Sequence, residues 1–363
     1  MAAAQTVGQG VNLVLVTGAS GFIAAHVTQQ LLRAGYRVRG TVRSLQNKDK
    51  VAPLRNLCPD AEHELELVEA DLLKPDTWKT ALEGCTHVIH VASPFPLAIP
   101  NDENEVIKPA VEGTTSVLKA CREVGTVKRV VLTSSVFAIS GEFGQNPNHI
   151  YNENDWTDTS LPSVDAYAKS KTLAEKAAWE FVNNLPEGQK FELAVINPGF
   201  VMGPILSGSF CTSIEILKTL LLKEMPAVPG VNISCVDVRD VAAAHIMAMT
   251  SSEAAGNRHV LVAGNLWMKD IAVFLQKEFK SQGYNPPTLT FPKFGLRILS
   301  LFDSKVKIML PAIGKVTRFD NTRMTQILQI QPRKLEDTVV EMGYSTIEGG
   351  FVKKTAKYRG PKK

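Results

Sequence analysis

Short apolar runs recur along this chain and alternate with longer stretches of helical character. The runs are nearly continuous in apolar residues and rich in β-branched side chains, which is typical of strands buried on both faces of a parallel sheet. Helical stretches such as 25–34 and 106–124 lie between them. The alternation predicts an α/β fold built on a doubly wound parallel sheet, with strands at residues 11–16, 37–42, 65–70, 87–91, 128–132, 191–197 and 258–262.

A glycine-containing turn separates the first predicted strand from the first predicted helix. Gly18, Gly21 and Ala24 form a GxxGxxA pattern there. Gly18 permits a tight turn, Gly21 lets backbone N–H groups approach a pyrophosphate, and Ala24 allows the helix to pack closely on the strand. In this position the pattern predicts a Rossmann-type dinucleotide site.

The alternation of strand and helix breaks in two places, which divides the chain. Residues 204–230 contain prolines and a leucine-rich helix, and the pattern from residue 265 onward is helical and amphipathic. We expect 11–203 with 231–263 to form the dinucleotide-binding domain, including a further strand at 231–240. We expect 204–230 with 264–345 to form a smaller, mostly helical substrate domain, followed by a basic tail at 346–363.

Composition and charge add little to this picture. The chain has 363 residues, of which 44% are hydrophobic and 21% charged, with a net charge of +4. This is an ordinary soluble composition. Residues 353–363 carry six Lys or Arg and no acid, and we expect them to form a solvated, frayed tail. We expect neither a nucleic acid nor a membrane as partner, and either a monomer or a weak homodimer.

Targeting and cysteine patterns favour a cytoplasmic protein. Residues 1–10 lack the features of a secretory signal, and no apolar run approaches the roughly 20 residues that cross a bilayer. The five cysteines are odd in number and form no CxxC pair. They are typical of reduced thiols and predict neither a disulfide framework nor a metal site.

The end of the second strand indicates which dinucleotide binds. An enzyme that prefers NAD would carry Asp or Glu there to bind the ribose 2′-hydroxyl. This chain has Arg43, with Lys48 and Lys50 downstream and no acid before Asp49. An arginine pairs with a 2′-phosphate and covers the adenine face, so the pattern predicts NADP(H).

Polar residues follow two further strands, and each leaves a question open. Asp71 comes after the strand at 65–70 and either meets the adenine amine or caps the helix at 75–82. Ser134 and Ser135 follow the strand at 128–132, where open α/β sheets bind ligands. A serine there can donate a hydrogen bond to a substrate carbonyl. Because successive side chains alternate across a strand, only one of the two faces the cleft.

Tyr167 and Lys171 are four residues apart in a run that favours helix. They therefore project from the same helical face. A free tyrosine titrates near 10, and a cation close by lowers its pKa toward working pH. The pair predicts an acid that passes a proton to a carbonyl oxygen as it becomes an alkoxide.

Taken jointly, these motifs resemble the extended short-chain dehydrogenase/reductase family. The likeness is to its dihydroflavonol reductase, cinnamoyl-CoA reductase and yeast methylglyoxal/aldehyde reductase branch, and it covers about 11–345. It is carried by VTGASGFIAAHV (16–27), TVRS (41–44), EADL (69–72), HVASP (90–94), VLTSS (131–135), YAKSKTLAEKAAWEF (167–181), NPGFVMGP (197–204) and VDVRDVAAAHI (236–246).

The resemblance implies a full set of site residues. Ser135, Tyr167 and Lys171 would form the catalytic triad. Lys50 fits the spacing of the plant reductases and is chosen over Lys48, which is nearer the yeast spacing. The implied cofactor contacts are Gly18, Ala19, Ser20, Gly21, Phe22, Ile23, Arg43, Lys50, Asp71, Leu72, Val91, Ser93, Tyr167, Lys171, Pro198, Gly199 and Val201.

Two departures from the family's sequence patterns narrow the range of substrates that the resemblance implies. Plant dihydroflavonol reductases carry a polar residue, often Asn, five positions after the catalytic serine, where this chain has Ser140. Cinnamoyl-CoA reductases share an NWYCYxK element, whereas this chain has DAYAKSK. The run YAKSKTLAEKAAWEF is nearer the yeast and fungal aldehyde and ketone reductases.

The expected activity is NADPH-dependent reduction of an aldehyde or ketone carbonyl in a small molecule. A sugar-nucleotide epimerase or dehydratase, or a steroid dehydrogenase, would share the fold. Arg43 in place of an acid argues against the tightly held NAD of the epimerases. A non-catalytic NADPH sensor would not need Ser135, Tyr167 and Lys171 together.

Overall fold

A computed structural model of the protein describes residues 12–94, 100, 102–141, 146, 148–206, 208, 211–301, 306 and 309–361. The start of the first predicted strand at Val11, the leader 1–10 and the last two lysines lie outside the described residues. The strands, numbered β1 to β12, are Leu13–Val16, Arg37–Val42, Glu66–Glu69, His87–His90, Arg129–Thr133, Ile150–Tyr151, Glu192–Pro198, Phe200–Met202, Asn232–Asp237, Arg258–Leu261, Gly264–Trp267 and Arg318–Phe319.

The helices connect these strands in the predicted alternation. Numbered α1 to α10, they are Phe22–Arg33, Lys48–Arg55, Thr77–Leu82, Asn104–Val124, Ala166–Asn183, Thr212–Leu221, Val238–Thr250, Met268–Phe279, Lys293–Leu299 and Leu335–Glu348. Short helical turns, such as Val136–Ala138, join some of the elements.

Seven parallel strands form the central sheet in the order β10-β7-β5-β4-β1-β2-β3. The strand order reverses beside β1, so crossovers run to both sides of it, as in a doubly wound sheet. All four residues of β1 are buried, as are all five of β5. The predicted fold class is therefore confirmed, and the carboxyl ends of β1, β4, β5 and β7 lie together at one edge of the sheet.

Helices cover both faces of this sheet because alternate strand residues point to opposite sides. Val14 and Val16 face a core that includes Ala24 and Val27 of α1 and Ala244 of α7. Leu13 and Leu15 face a second core with side chains from α3, α4 and α5. A full layer on each face explains why the strands read as continuous apolar runs.

A second, three-stranded sheet has the order β11-β9-β8. It packs with α6, α8 and α10 around residues such as Leu217, Leu275 and Met342. The pattern places 231–240 as a strand of the dinucleotide domain, but β9 pairs with β8 and β11 instead of with the central sheet, and α7 begins at Val238. The smaller part is also less purely helical than the pattern predicts, because pairing between strands distant in sequence leaves no local signal.

The C-terminal segment is anchored, which corrects the expectation of a frayed tail. Val352 is buried, and Tyr284 donates a hydrogen bond from its hydroxyl to the backbone oxygen of Lys353 over 3.1 Å. The amide of Arg359 donates to Oε1 of Gln282 over 3.0 Å. The basic side chains that the structure describes, those of Lys353, Lys354, Lys357 and Arg359, are exposed as predicted, while apolar residues and hydrogen bonds fix the chain between them.

Within the described ranges, no helix is both long enough and apolar enough to cross a membrane. The same ranges hold no group of three or more His, Cys, Asp or Glu side chains placed to bind a metal ion. The five cysteines are free thiols.

Candidate active site

The glycine turn lies between β1 and α1, as predicted. Gly18 has a φ of +65°, and a Cβ atom there would lie 3.0 Å from Cβ of Ala92. Gly21 precedes α1 without a side-chain cap, so the helix presents first-turn N–H groups that have no partner within the helix. Ala19, Ser20, Phe22 and Ile23 complete this turn. A helix amino terminus behind a glycine turn is a favourable site for a pyrophosphate.

Neighbouring strands hold the turn in place. The amide of Gly18 donates to Oγ1 of Thr41 over 2.9 Å, and the amide of Ala19 donates to the Thr41 carbonyl over 2.9 Å. Gly40 of β2 lies against the glycine turn, and a Cβ atom on Gly40 would be 2.7 Å from Cβ of Ala19. Sequence reasoning did not single out Gly40, although a glycine inside a predicted strand is a signal of close backbone approach.

Arg43 follows β2 and is exposed. Because β2 pairs with β1, with Gly40 beside Val16, the end of β2 lies next to the glycine turn. Lys48 and Lys50 are in the first turn of α2, with Lys48 exposed and Lys50 half-buried. The choice between these two lysines stays a prediction.

Asp71 follows β3 and does not cap the next helix. Its Oδ1 accepts a hydrogen bond from the amide of Leu73 over 3.0 Å, and the residue before α3 is Asp76. Leu72 packs against α4, where its Cβ lies 3.2 Å from the position of a Cβ on Gly113. The cap alternative is therefore wrong, whereas the adenine contact of Asp71 stays a prediction.

The structure separates the roles of the two serines after β5. Oγ of Ser134 donates to Oε2 of Glu175 over 2.5 Å in the protein interior. The side chain of Ser135 is hydrogen-bonded to Tyr167, and its Oγ also accepts from the amide of Phe137 over 3.2 Å. Strand alternation thus directs Ser134 into the core and Ser135 toward the tyrosine.

Tyr167 and Lys171 lie in the first turns of α5. The helix begins after Asp165, whose Oδ1 caps the amide of Ala168 over 2.7 Å. Nζ of Lys171 is 5.7 Å from the centroid of the Tyr167 ring. The same Nζ donates a hydrogen bond to Oγ of Ser93. Ser93 lies just after β4, next to Ala92 in the chain. Val91 and Ser93 are both half-buried at this edge of the sheet.

The protonation states of the pair differ from the expectation drawn from their spacing. Burial and, to a smaller extent, the charge of Asp165 raise the pKa of Tyr167, the hydrogen bond with Ser135 lowers it, and the net pKa is about 12. Burial also lowers the pKa of Lys171 to about 8, against an opposing effect of Glu175. The spacing predicts that Lys171 brings the phenol toward neutrality, but desolvation of both groups outweighs their proximity. Tyr167 therefore holds its proton at neutral pH.

The end of β7 forms the last part of the site. Pro198 is the final residue of β7, and Gly199 joins it to β8, which contains Val201. A Cβ atom on Gly199 would lie 2.4 Å from the carbonyl oxygen of Ser234 in β9. The glycine thus lets the two sheets approach at the point where the chain passes from one to the other.

A buried polar network supports the site, and sequence reasoning missed it. Glu175 forms an ion pair with Arg258 at 2.5 Å and accepts hydrogen bonds from Ser134 and Asn197. The position of Glu175, one turn after Lys171 on the same face, was the available signal. Its partners on β7 and β10 are distant in sequence and gave none.

These elements bring most of the predicted residues to one edge of the sheet. The glycine turn, Ser93, Ser135, Tyr167, Lys171 and Pro198 lie at or next to the carboxyl ends of β1, β4, β5 and β7. Residues 95–99, 142–145, 207 and 209–210 lie outside the described residues. The arrangement combines the glycine turn at the start of α1 with the hydroxyls of Ser135 and Tyr167 and the amine of Lys171.

Comparisons with known proteins agree with this geometry. Residues 15–272 match the family model of the 3-beta hydroxysteroid dehydrogenase/isomerase family. A putative anthocyanidin reductase of Ginkgo biloba is 37% identical over 297 residues, which cover 78% of this chain and 84% of the relative. Dihydroflavonol 4-reductase of Zea mays is 37% identical over 272 residues, 73% of this chain and 74% of the relative.

Solved structures give the same relationship. The structure of Gre2 from Candida albicans in complex with NADPH superposes with a TM-score of 0.76 at 31% identity. The match covers 93% of this chain and 99% of that one.

Proposed function

Because the chain belongs to the extended short-chain dehydrogenases/reductases, within the 3-beta hydroxysteroid dehydrogenase/isomerase family, we propose that it reduces an aldehyde or ketone carbonyl to an alcohol. The protein is an oxidoreductase that uses NADP(H).

One observation supports this assignment above the others. The Ser135 side chain is hydrogen-bonded to Tyr167, and Lys171 lies one turn further along the same helix. Both hydroxyls are at the carboxyl edge of the sheet that also holds the glycine turn. A proton donor and a second hydroxyl placed at this edge suit a carbonyl oxygen that gains charge.

The cradle fits a dinucleotide. The positive φ of Gly18 allows the tight turn, and the start of α1 without a side-chain cap offers backbone N–H groups to a pyrophosphate. In the proposal Arg43 binds the 2′-phosphate with Lys50, Asp71 and Leu72 contact the adenine, and Val91, Pro198, Gly199 and Val201 line the nicotinamide end. When bound, NADPH supplies the hydride.

The protein residues then handle the oxygen and the proton. Ser135 donates a hydrogen bond to the substrate oxygen and orients it. As the carbonyl becomes an alkoxide, the phenol of Tyr167 gives it a proton, so that the product is an alcohol and the tyrosine a phenolate. The nearby ammonium of Lys171 stabilises that phenolate. The high pKa of Tyr167 suits this direction, because the residue starts the cycle protonated.

The second sheet and its helices complete the proposal. We assign the part built on β8, β9 and β11 with α6, α8 and α10 to covering the substrate. Arg43 in place of an acid disfavours the sugar-nucleotide reactions of proteins that share the fold.

The test is NADPH consumption against a panel of carbonyl compounds. The panel holds small dicarbonyls, aliphatic and aromatic aldehydes, bulky ketones, a dihydroflavonol and a steroid ketone, with NADH and Tyr167→Phe as controls. We expect turnover that prefers NADPH and is lost in Tyr167→Phe while NADPH affinity is kept. Tight NADPH binding without turnover of any carbonyl would overturn the proposal in favour of a sensor. Undiminished turnover in Tyr167→Phe would remove the tyrosine from the mechanism.

A further inference from the structure

A carboxylate lies in the protein interior directly behind the proposed catalytic residues. The side chain of Glu175 has 0% of its surface exposed. Its two oxygens accept hydrogen bonds from four side chains: Oγ of Ser134 at 2.5 Å, Nδ2 of Asn197 at 2.8 Å, Nε of Arg258 at 2.5 Å and Nε1 of Trp179 at 3.3 Å. A buried charge is tolerated only with such partners.

These partners tie α5 to three adjacent strands. Ser134 directly follows β5, Asn197 belongs to β7 and Arg258 opens β10, and these strands are neighbours in the sheet. Arg258 is itself held by the backbone oxygens of Glu153 and Asp155, at 2.9 and 2.6 Å. Glu175 is therefore the point at which the helix carrying Tyr167 and Lys171 is fixed to the sheet carrying Ser135.

Hydrogen bonds also hold the backbone at Ser134 and Ser135 against β7. The second hydrogen of Asn197 Nδ2 is donated to the backbone oxygen of Ser135 over 3.2 Å. The amide of Ser134 donates to the carbonyl of Ile196 over 2.7 Å. Glu175 is thus connected to the backbone of Ser135 through Asn197, and to the preceding residue through the hydroxyl of Ser134.

The same carboxylate acts on Lys171 electrostatically. Glu175 is one helical turn beyond Lys171 on the same face, and its charge raises the pKa of the lysine against the effect of burial. Within the described part of the chain, Tyr167 on α5 and His90 on β4 are further titratable groups near Lys171. Burial lowers the pKa of His90 to about 3, so that it is neutral at working pH.

We propose that Glu175 is a positioning residue for this reaction, because it fixes the helix that carries Tyr167 and Lys171 to the strands beside Ser135; the inference rests on the proposed function. It differs from a purely structural ion pair with Arg258. An ion pair of that kind would contribute only to folding, and replacing it would leave the chemistry of the folded enzyme unchanged.

The deciding variant is Glu175→Gln, which keeps the shape of the side chain and removes its charge. We expect kcat to fall by about 10- to 100-fold because the reacting groups are misplaced, while the KM for NADPH changes by less than about threefold. We also expect the alkaline limb of the kcat profile to move to lower pH by about one unit, because Lys171 loses its proton more readily. Glu175→Asp keeps the charge and should leave that limb in place.

Arg129→Met is the matched control. Arg129 is also buried, pairs with Glu192 at 2.6 Å and donates to three backbone oxygens, but it lies at the amino end of β5, away from the site. We expect it to lower the melting temperature by a similar amount without moving the pH profile. If Glu175→Gln folds poorly, Ser134→Ala replaces it as the test variant. This change keeps the charge of Glu175 and removes one hydrogen bond to its carboxylate. We expect kcat to fall about threefold or more.

The outcomes separate this inference from the proposed function. If Glu175→Gln lowers stability but keeps the wild-type kcat and pH profile, the positioning role is wrong and the residue is structural. An equal shift of the pH limb in Arg129→Met would also overturn it. If Tyr167→Phe stays active, the proposed function fails whatever Glu175→Gln shows.

Discussion

Nζ of Lys171 donates a hydrogen bond to Oγ of Ser93 over 2.9 Å and so joins α5 to the chain that follows β4. The ammonium therefore lies between the phenol of Tyr167 and the edge of the cofactor cradle. We expect Lys171→Met to lower kcat by about 100-fold or more, since the phenolate loses its cation. Ser93→Ala should cost less than about tenfold, because water can replace the hydroxyl. Steady-state kinetics with NADPH checks both, and equal losses in the two variants would contradict this arrangement.

Arg43 sets the cofactor preference in the proposed function. Arg43→Ala should raise the KM for NADPH by about 10- to 100-fold, the effect of one charge-assisted contact with a phosphate. The KM for NADH should change little. Arg37→Ala is the control, because Arg37 is also exposed but lies at the opposite end of β2. A parallel change with both cofactors would show that Arg43 does not bind the 2′-phosphate.

Gly40 and Ala19 are complementary in size. A Cβ atom on residue 40 would lie 2.7 Å from Cβ of Ala19, so Gly40→Ala must displace the glycine turn. We expect NADPH to bind about tenfold more weakly, about 1.4 kcal/mol. The double variant Gly40→Ala with Ala19→Gly restores the space and should recover most of the affinity. Calorimetric titration measures this, and failure of the double variant to recover would place the defect elsewhere.

Buried histidines predict sensitivity to acid. Burial lowers the pKa of His26, His245 and His259 to about 4 and that of His90 to about 3, from an ordinary value of 6.5. Above pH 6.5 both folded and unfolded states are neutral at these sites. As pH falls from 6.5 toward 4, only the unfolded chain takes up protons, so the free energy of unfolding falls.

The expected loss is large enough to measure. Between pH 7.5 and 5.5 each of these histidines lowers the free energy of unfolding by about 1.3 kcal/mol, or about 5 kcal/mol for the four together. Urea unfolding at pH 7.5 and 5.5 gives the difference. His245→Gln should remove about a quarter of it. A pH-independent stability between these values would contradict the prediction.

Sequence predicts those parts of the site that depend on the spacing of residues close together in the chain. The turn around Gly18 and Gly21 and the helical pair Tyr167 and Lys171 depend on residues within one turn of one another. Their elements follow from hydrophobic periodicity, because a strand buried on both faces must be apolar throughout.

Features that depend on distant contacts were not predictable in this way. β9 has the pattern of any strand, and nothing in its own residues decides whether it joins the central sheet or the second one. Glu175 meets Arg258 only after the sheet has assembled. The anchoring of the C-terminal segment on Gln282 and Tyr284 likewise requires the fold. The pKa of Tyr167 depends mainly on the burial of its side chain, which its spacing from Lys171 does not indicate.

The passage of the chain between its two sheets has a mechanical consequence. The chain passes from the central sheet to the second sheet at Gly199 and again at residues 262–263. These two connections are hydrogen-bonded to neighbouring strands: the amide of Gly199 donates to the carbonyl oxygen of Leu261, and the amide of Ala263 donates to that of Cys235. A junction of several hydrogen-bonded strands resists bending in the way that a single linker does not. We therefore expect the two sheets to keep a fixed orientation relative to each other, as parts of one stiff unit.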